Sequence, residues 1–113
     1  MQYGEAVPVF DLTDLPAACP PDTPWMGLDL GENTIGVAVS DTSRMIASPL
    51  QLIRKVKFSQ DAEQLIKLMN GRNVSALVIG LPLNMDGTEG PRAQSCRAFA
   101  RNLERLRPVN IAF

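Results

Sequence analysis

The chain has 113 residues and a formal net charge of −1 at pH 7, which suits one domain with a modest core and does not by itself indicate a polyanion-binding protein. It contains no histidine, which excludes Ser-His-Asp triads, Cys-His pairs and histidine-ligated zinc within this chain. Any catalysis here must therefore use carboxylates and a hard metal ion.

Residues 1–24 form a proline-rich N-terminal arm. They contain five of the nine prolines in the chain, a composition that predicts neither a helix nor a central strand. Val7, Val9, Phe10 and Leu12 are available to pack on the folded domain or on a second copy of the chain. We expect the arm to be mobile or to lie over the surface of a single domain spanning residues 25–113.

A hairpin is predicted between Gly27 and Asp41. Its first strand carries Asp29 between two leucines, Gly31 and Asn33 supply the turn, and apolar residues alternate along its second strand. The hairpin thus presents one carboxylate near its tip, at a buried edge. Such an Asp can serve only to hydrogen-bond the turn. The functional alternative is that it ligates a divalent cation or contacts a metal-bound phosphate.

The next elements predict a sheet covered by a helix. Residues 46–53 read as a third antiparallel strand, in which Pro49 favours an edge position. A helix from the N-cap Ser59 to Gly71 should cover the sheet. Residues 74–80 are a short apolar run, which is typical of a strand buried on both faces and parallel to the first.

The last part of the chain contains a candidate site loop. Residues 81–90 leave the carboxyl end of the parallel strand, where open α/β sheets place their sites. Pro91 begins a second helix, Pro108 ends it, and residues 109–113 look like a fifth strand cut short. The order predicts an α/β fold in which three antiparallel strands precede the parallel ones and helices flank the sheet.

Two basic clusters are candidates for contact with nucleic acid. Arg97, Arg101 and Arg105 recur at a spacing of four on one helix face, where like charges disfavour an isolated helix unless solvent or a phosphate neutralises them. Arg54 and Lys55 follow the third strand, a position where basic residues also block edge pairing. Solvation alone explains most such clusters.

The cysteines and the N-terminus indicate the compartment. Cys19 and Cys96 lie far apart without C-x-x-C spacing, which favours reduced thiols over a disulfide or a zinc site. No apolar stretch is long enough to span a bilayer, and Glu5 and Asp11 stand where a signal peptide would carry basic and then apolar residues. We therefore predict a cytoplasmic protein without membrane contact.

Four segments carry a recognisable pattern in order and spacing over nearly all of residues 25–113. Arg92, Phe99 and Leu103 in the second helix extend it. The pattern resembles the YqgF family of proteins regarded as Holliday junction resolvases. The segments are Gly27-Leu-Asp-Leu-Gly31, Ile35-Gly-Val-Ala-Val-Ser-Asp41, Ala47-Ser-Pro-Leu50 and Ile79-Gly-Leu-Pro-Leu-Asn-Met-Asp-Gly87.

The resemblance implies a ribonuclease H-like fold and a nuclease domain over residues 25–113. It also implies a phosphodiesterase site that uses Mg²⁺ or Mn²⁺ and whose first acid matches Asp29, the expected catalytic residue and metal ligand. The substrate that the resemblance implies is structured RNA, cleaved in 5′-end processing of pre-16S rRNA in ribosome biogenesis, or alternatively branched DNA. Together with the charge pattern, the resemblance predicts that nucleic acid is contacted by Arg54, Lys55, Arg92, Arg97 and Arg101. It also predicts a site loop that includes Gly31, Asn84 and Asp86.

The chain departs from the family at Phe113, where the family pattern continues into an Asp-Glu-Arg motif, a further helix and a last acid. One carboxylate cannot hold two cations about 4 Å apart. Asp41, Asp86 and Glu89 are poor substitutes because they follow an outer strand or lie in a loop. We expect the 113-residue chain to be inactive and a longer parent chain to be active. An uncovered sheet edge also favours a homodimer.

Two interpretations that assign the chain to other functional classes of protein stay open. Residues 29–34 also look like the first phosphate-binding loop of actin-like ATPases and sugar kinases, although those proteins need two such halves and an adenosine loop. Alternatively, the domain is a non-catalytic module that holds RNA, DNA or a protein through its basic faces. Binding that survives chelation and loss of the Asp29 carboxylate, without cleavage, would favour the module.

Overall fold

The chain folds around a five-stranded sheet in the computed structural model, which describes residues 14–44 and 46–113. Short connections join the first three strands, and two long helices follow the third and fourth strands. The described elements, in chain order, are α1 (Leu15–Ala18), β1 (Trp25–Leu30), β2 (Thr34–Ser40), β3 (Ala47–Arg54), α2 (Phe58–Arg72), β4 (Ala76–Ile79), α3 (Pro91–Leu106) and β5 (Asn110–Ala112).

The strands lie side by side in the order β3-β2-β1-β4-β5. β2 pairs antiparallel with β1 and β3, whereas β4 runs parallel to β1, and β5 runs parallel to β4. This confirms the predicted mixed sheet, with Pro49 on an edge strand. Because β1, β4 and β5 point the same way, their carboxyl ends meet at one edge of the sheet, which we call the carboxyl edge. β3 also ends there, since Arg54 pairs with Thr34 at the start of β2.

One face of the sheet is buried beneath α2 and α3. β1 turns Met26 and Leu28 to this side, and β4 adds Leu77 and Ile79. Burial of apolar surface at roughly 25 cal/mol per Å² makes this cluster the main source of stability. The helices close it with side chains at helical spacing: Ala62, Leu65 and Met69 of α2, and Ala100 and Leu103 of α3.

The opposite face is covered by the described residues on one side only. There Leu15 of α1 and Cys19, the residue after α1, pack against Ala76 of β4 and Ala112 of β5. Over β1 to β3 the same face is an open depression of about 660 Å³. Small residues of the central strands form its floor and apolar residues of β3 line one side: Gly27, Gly36 and Ala38, with Pro49 and Leu52.

The proline-rich segment contains a helix where its composition predicts none. α1 is a single turn with proline in its first turn, a position where the missing N–H costs no hydrogen bond. Thr23 ties this segment to the sheet, because its hydroxyl hydrogen-bonds the Pro20 carbonyl at 2.6 Å and the Ser75 hydroxyl at 2.7 Å. Residues 14–24 therefore pack on the domain, while the rest of the predicted arm, residues 1–13, lies outside the described residues.

The start of α2 differs from the predicted N-cap. The N-cap is Lys57, in extended conformation, and the predicted cap Ser59 lies inside the first turn. The buried Asp61 carboxylate accepts a hydrogen bond from the Val56 N–H at 3.1 Å, which holds the chain to this earlier start. At the other end α2 runs to Arg72, one residue past the predicted end.

Core packing predicts unequal effects of two leucine truncations. Leu77→Ala, at a side chain that is 0 % exposed, should lower the free energy of unfolding by about 2–5 kcal/mol because it leaves a cavity between the sheet and its helices. Leu106→Ala, at a side chain that is 60 % exposed, should change it by less than about 0.5 kcal/mol. Urea unfolding of both variants measures the difference. Equal losses would contradict this assignment of the core.

Candidate active site

Asp29 lies at the carboxyl edge and faces the open side of the sheet. Side chains alternate along a strand, so Leu28 points into the helix-covered core while Gly27 and Asp29 point outward. Gly36 lies opposite Asp29 in the antiparallel pair and leaves the space beside the carboxylate free of a side chain. Asp29 is exposed, which corrects the predicted buried edge, because no described element covers β1 on this side.

The turn after β1 closes without the Asp29 side chain. The Gly31 N–H donates to the Thr34 carbonyl at 2.9 Å, and the Lys55 ammonium donates to the Gly31 carbonyl at 3.0 Å. The Lys55 N–H also donates to the Asn33 carbonyl at 2.8 Å. Among the described residues, none forms a hydrogen bond or an ion pair with the Asp29 side chain that would give it a structural role in the turn. The geometry thus favours the functional reading of this carboxylate.

A second cavity opens on the helix side of the carboxyl edge, between the β1–β2 turn and the first turns of α3. Its volume is about 230 Å³. Burial raises the pKa of the Cys96 thiol, and the nearby charges of Arg92 and Lys55 oppose that shift, so the thiol is neutral at pH 7. We call this cavity the notch; it is lined by Leu30, Gly31, Glu32, Lys55, Arg92, Ser95, Cys96 and Phe99.

The site loop, residues 81–90, is held by its own side chains. The Asp86 carboxylate accepts hydrogen bonds from the Thr88 N–H at 3.0 Å and the Thr88 hydroxyl at 2.6 Å, and these bonds lower the pKa of Asp86. The Asn84 amide donates to the same hydroxyl at 3.1 Å. A Cβ on Gly90 would lie only 2.9 Å from the Asn84 side-chain oxygen. Asn84 and Asp86 therefore shape the loop.

Arg97 joins this loop to the end of the sheet. Its guanidinium donates two hydrogen bonds to the Glu89 carboxylate, both at 2.7 Å, and lies over the Phe113 ring, 4.6 Å from the centroid. The hydrogen bond from Arg97 lowers the pKa of Glu89. Arg97, predicted to contact nucleic acid, thus has a protein partner that braces the loop.

The structure separates the predicted basic residues into two groups. Arg54 ends β3, Lys55 follows it, and Arg92 lies in the first turn of α3, so all three are at the carboxyl edge. Arg101 lies nine residues after Arg92, which places it about 13 Å further along the helix axis. Lys55 and Arg92 line the notch together, Arg54 lies at the same edge of the sheet, and Arg101 lies away from it.

Sequence reasoning missed several lining residues of the notch. Ser95, Cys96 and Phe99 follow Arg92 at i+3, i+4 and i+7, the spacing of one helix face. That spacing is a usable signal, but it predicts core packing for Cys96 and Phe99 equally well. Only the position of the β1–β2 turn beside α3 opens a cavity there and adds Glu32.

The carboxylates at this edge do not by themselves fit a two-ion site. No group of three or more His, Cys, Asp or Glu side chains among the described residues could hold a metal ion. Asp86 and Glu89 are engaged with Thr88 and Arg97. Asp29 and Glu32 are then the exposed carboxylates left at this edge among the described residues, and two-metal phosphodiester chemistry needs more ligands than these.

The ion pair between Arg97 and Glu89 predicts a change in the site loop at acid pH. Hydrogen bonding by Arg97 keeps the pKa of Glu89 below its ordinary value of 4.5, so the pair stabilises the folded loop above that pH and is lost as the pH falls through the lowered pKa. In an NMR titration, the Arg97 Nε–H signal should therefore shift with a midpoint below 4.5, and Glu89→Gln should remove this step. A midpoint at or above 4.5 would contradict the hydrogen bonding between Arg97 and Glu89.

The chain has close relatives among curated proteins. A family profile described as RuvX, Holliday junction resolvase, matches residues 23–113. A "Putative pre-16S rRNA nuclease" of Phenylobacterium zucineum is 71% identical over 106 residues, which is 93% of this chain and 68% of the relative. The protein of the same name from Caulobacter vibrioides is 62% identical over 102 residues, 90% of this chain and 65% of the relative. The chain thus spans about two thirds of the length of these relatives.

Solved structures share the fold at low sequence identity. RuvC of T. thermophilus, solved in complex with a Holliday junction substrate, matches with a TM-score of 0.55 and 10% identity, over 80% of this chain and 64% of that one. A Bacteroides thetaiotaomicron protein of unknown function with an actin-like ATPase fold matches with a TM-score of 0.52 and 7% identity, over 86% of this chain and 35% of that one. The predicted ribonuclease H-like fold is confirmed, and the chain belongs to the RuvX, or YqgF, family of Holliday junction resolvases.

Proposed function

We propose that the complete protein is a nuclease that hydrolyses phosphodiester bonds in structured nucleic acid, and that its reaction is 5′-end processing of pre-16S rRNA in ribosome biogenesis. The observation that carries the proposal is the exposed Asp29 carboxylate at the carboxyl edge, the same edge at which the cations Arg54, Lys55 and Arg92 lie. A carboxylate can hold or activate reacting groups while cations attract the phosphates. The names of the close relatives support the choice of RNA.

We propose Mg²⁺ or Mn²⁺ as the cofactor of the complete protein, because both ions prefer carboxylate and water oxygens. Asp29 contributes one ligand in this proposal, and carboxylates from outside residues 1–113 contribute the others. β5 supports this arrangement: it runs parallel to β1 and lies two strands away, about 10 Å at the usual strand spacing. Residues that follow β5 in a longer chain would enter the carboxyl edge there.

The description of the family favours a second substrate. Holliday junction resolvases cut branched DNA, and the family profile carries that description. The same carboxylate chemistry serves both RNA and DNA, because the reacting phosphodiester is common to them. Cleavage of a pre-16S rRNA leader, compared with cleavage of a four-way DNA junction by the same preparation, separates the two substrates.

We also propose that the protein acts in the cytoplasm, where bacterial rRNA is processed. None of the helices in the described part of the chain is long and apolar enough to cross a bilayer.

A homodimer is a further part of the proposal. Three large apolar side chains on or beside β3 are more than 60 % exposed, and exposed apolar patches commonly mark contact surfaces. These side chains are Ile46, Leu52 and Val56.

Loss of the Asp29 carboxylate should abolish cleavage. In a full-length preparation with Mg²⁺ or Mn²⁺, Asp29→Asn should lower the cleavage rate at least about a hundredfold, because a lost metal ligand removes several kcal/mol of transition-state stabilisation. Glu63→Gln, at an exposed residue of α2, is the charge-matched control and should leave the rate unchanged. Chelation should reproduce the effect of Asp29→Asn.

The 113-residue chain should not cleave either substrate under the same conditions, because its described residues lack the further carboxylates. Cleavage by this chain that disappears in Asp29→Asn would contradict that expectation. Full activity of Asp29→Asn in the longer protein would instead remove Asp29 from the proposed site. Nucleic-acid binding that survives both chelation and Asp29→Asn, with no cleavage by the longer protein, would favour the non-catalytic module.

The two groups of basic residues should differ in their effect on cleavage. Arg92→Gln should lower both binding and the cleavage rate, because Arg92 lies at the carboxyl edge. Arg101→Gln should lower binding alone, and each change should reduce the slope of log K against log[salt] by about 0.7–0.9 if the residue contacts one phosphate. Equal losses of cleavage in the two variants would show that distance from Asp29 does not matter.

A further inference from the structure

We propose that the notch binds one unpaired nucleotide of the substrate, with its phosphate between Lys55 and Arg92 and its base against Leu30 and Phe99. The inference rests on the proposed function for its biological meaning, but the binding itself requires neither a metal ion nor catalysis. It gives the protein a preference for nucleic acid that is single-stranded beside the cleaved bond.

The size of the notch suits a single nucleotide. Its volume of about 230 Å³ is below the roughly 300–1,000 Å³ of sites that enclose drug-sized ligands, so it holds one nucleotide with part of that nucleotide left in solvent, and a stacked base pair is too large for it. The depression on the opposite face is larger, at about 660 Å³, but its lining is mainly apolar, with Asp29 as the acid at its edge and no cation. A nucleotide phosphate therefore finds complementary charge in the notch and not in the depression.

Two cations from different parts of the fold line the notch. Lys55 is held in place by hydrogen bonds to the Gly31 and Asn33 carbonyls, and two of its three ammonium protons stay available to a ligand. Arg92 lies in the first turn of α3, which contains no acidic residue and where the helix dipole favours an anion. Glu32 is the acidic residue among the lining side chains, so cations outnumber it.

The inner wall of the notch is apolar and fixed. Phe99 packs edge-on against Phe58, with ring centroids 5.4 Å apart and an interplanar angle of 82°, and Cys96 beside it is a neutral thiol. Aromatic rings bind bases in a way that tolerates any sequence, because every base has a π-face. A cationic rim with an aromatic wall is thus complementary to a nucleotide. A site for inorganic phosphate alone would need the cations but not the aromatic wall.

The position of the notch connects it to the candidate active site. Leu30 lines the notch, and Asp29 is the residue before it on β1. Successive strand residues are about 3.3 Å apart but point to opposite faces, so the notch and the Asp29 carboxylate lie on the two sides of one strand end. A strand of nucleic acid that crosses this end can place one nucleotide in the notch and a neighbouring phosphodiester near Asp29.

The test is an NMR titration of the 113-residue chain in EDTA, with adenosine 5′-monophosphate and then inorganic phosphate as probes. The monophosphate should shift the amide signals of Gly31, Lys55 and Ser95. Lys55→Gln and Arg92→Gln should each weaken its affinity about tenfold, the effect of losing one charged hydrogen bond. Arg72→Gln, at the far end of α2, is the matched control and should not change it.

Further comparisons separate the parts of the proposal. Phe99→Leu, which keeps an apolar side chain in place, should weaken the monophosphate but not inorganic phosphate, and a short single-stranded RNA should bind more tightly than a duplex of the same length. Equal affinity for both probes, equal affinity for the two RNAs, or unchanged binding in both cation variants would overturn the proposal. Variants are compared only where circular dichroism shows that the fold is retained. Glu32→Gln, at an exposed turn residue, should strengthen binding of the monophosphate. Nucleotide binding without cleavage by the longer protein would defeat the proposed nuclease function alone.

Discussion

The burial of Met26 and Leu28 of β1 beneath α2 and α3 is the constraint on which the candidate site depends. Side chains alternate between the faces of a strand, so a one-residue slip of register would exchange the two faces completely. The apolar core opposes such a slip, because the slip would expose Met26 and Leu28 and bury the Asp29 carboxylate. Hydrophobic burial on one side of β1 therefore holds Asp29 outward on the other, although Asp29 itself contributes little to stability.

The parallel pairing of β1 with β4 brings the remaining parts of the site to the same edge. A parallel connection needs a crossover, and α2 supplies it by beginning at the carboxyl edge and returning the chain to the opposite edge. The basic residues before α2 and in the first turn of α3 are consequently close to the β1–β2 turn. The same topology directs the site loop and the end of β5 to this edge, where Arg97 links them through Glu89 and Phe113.

Local patterns predict most of the fold and part of the site. The period of the apolar residues predicts β1, β2 and α3, and Pro91 marks the start of α3 because proline suits a first helical turn. The patterns fail where a tertiary contact decides the outcome. Ser59 has the chemistry of an N-cap, but buried Asp61 pins the chain at Val56 and starts α2 earlier. The one-turn helix α1 forms in a proline-rich segment because Leu15 finds a buried place against the sheet.

The sequence by itself determined the fold class and the family and indicated Asp29 as the candidate site residue, because strand alternation, turn residues and motif spacing are local properties of the chain. Only the tertiary structure decided which charges act together. Spacing along α3 treats Arg92, Arg97 and Arg101 alike, yet Arg92 lines the notch, Arg97 is paired with Glu89, and Arg101 lies away from the edge. These differences depend on which loops and strands approach each turn of the helix, and contacts between segments distant in sequence set that approach.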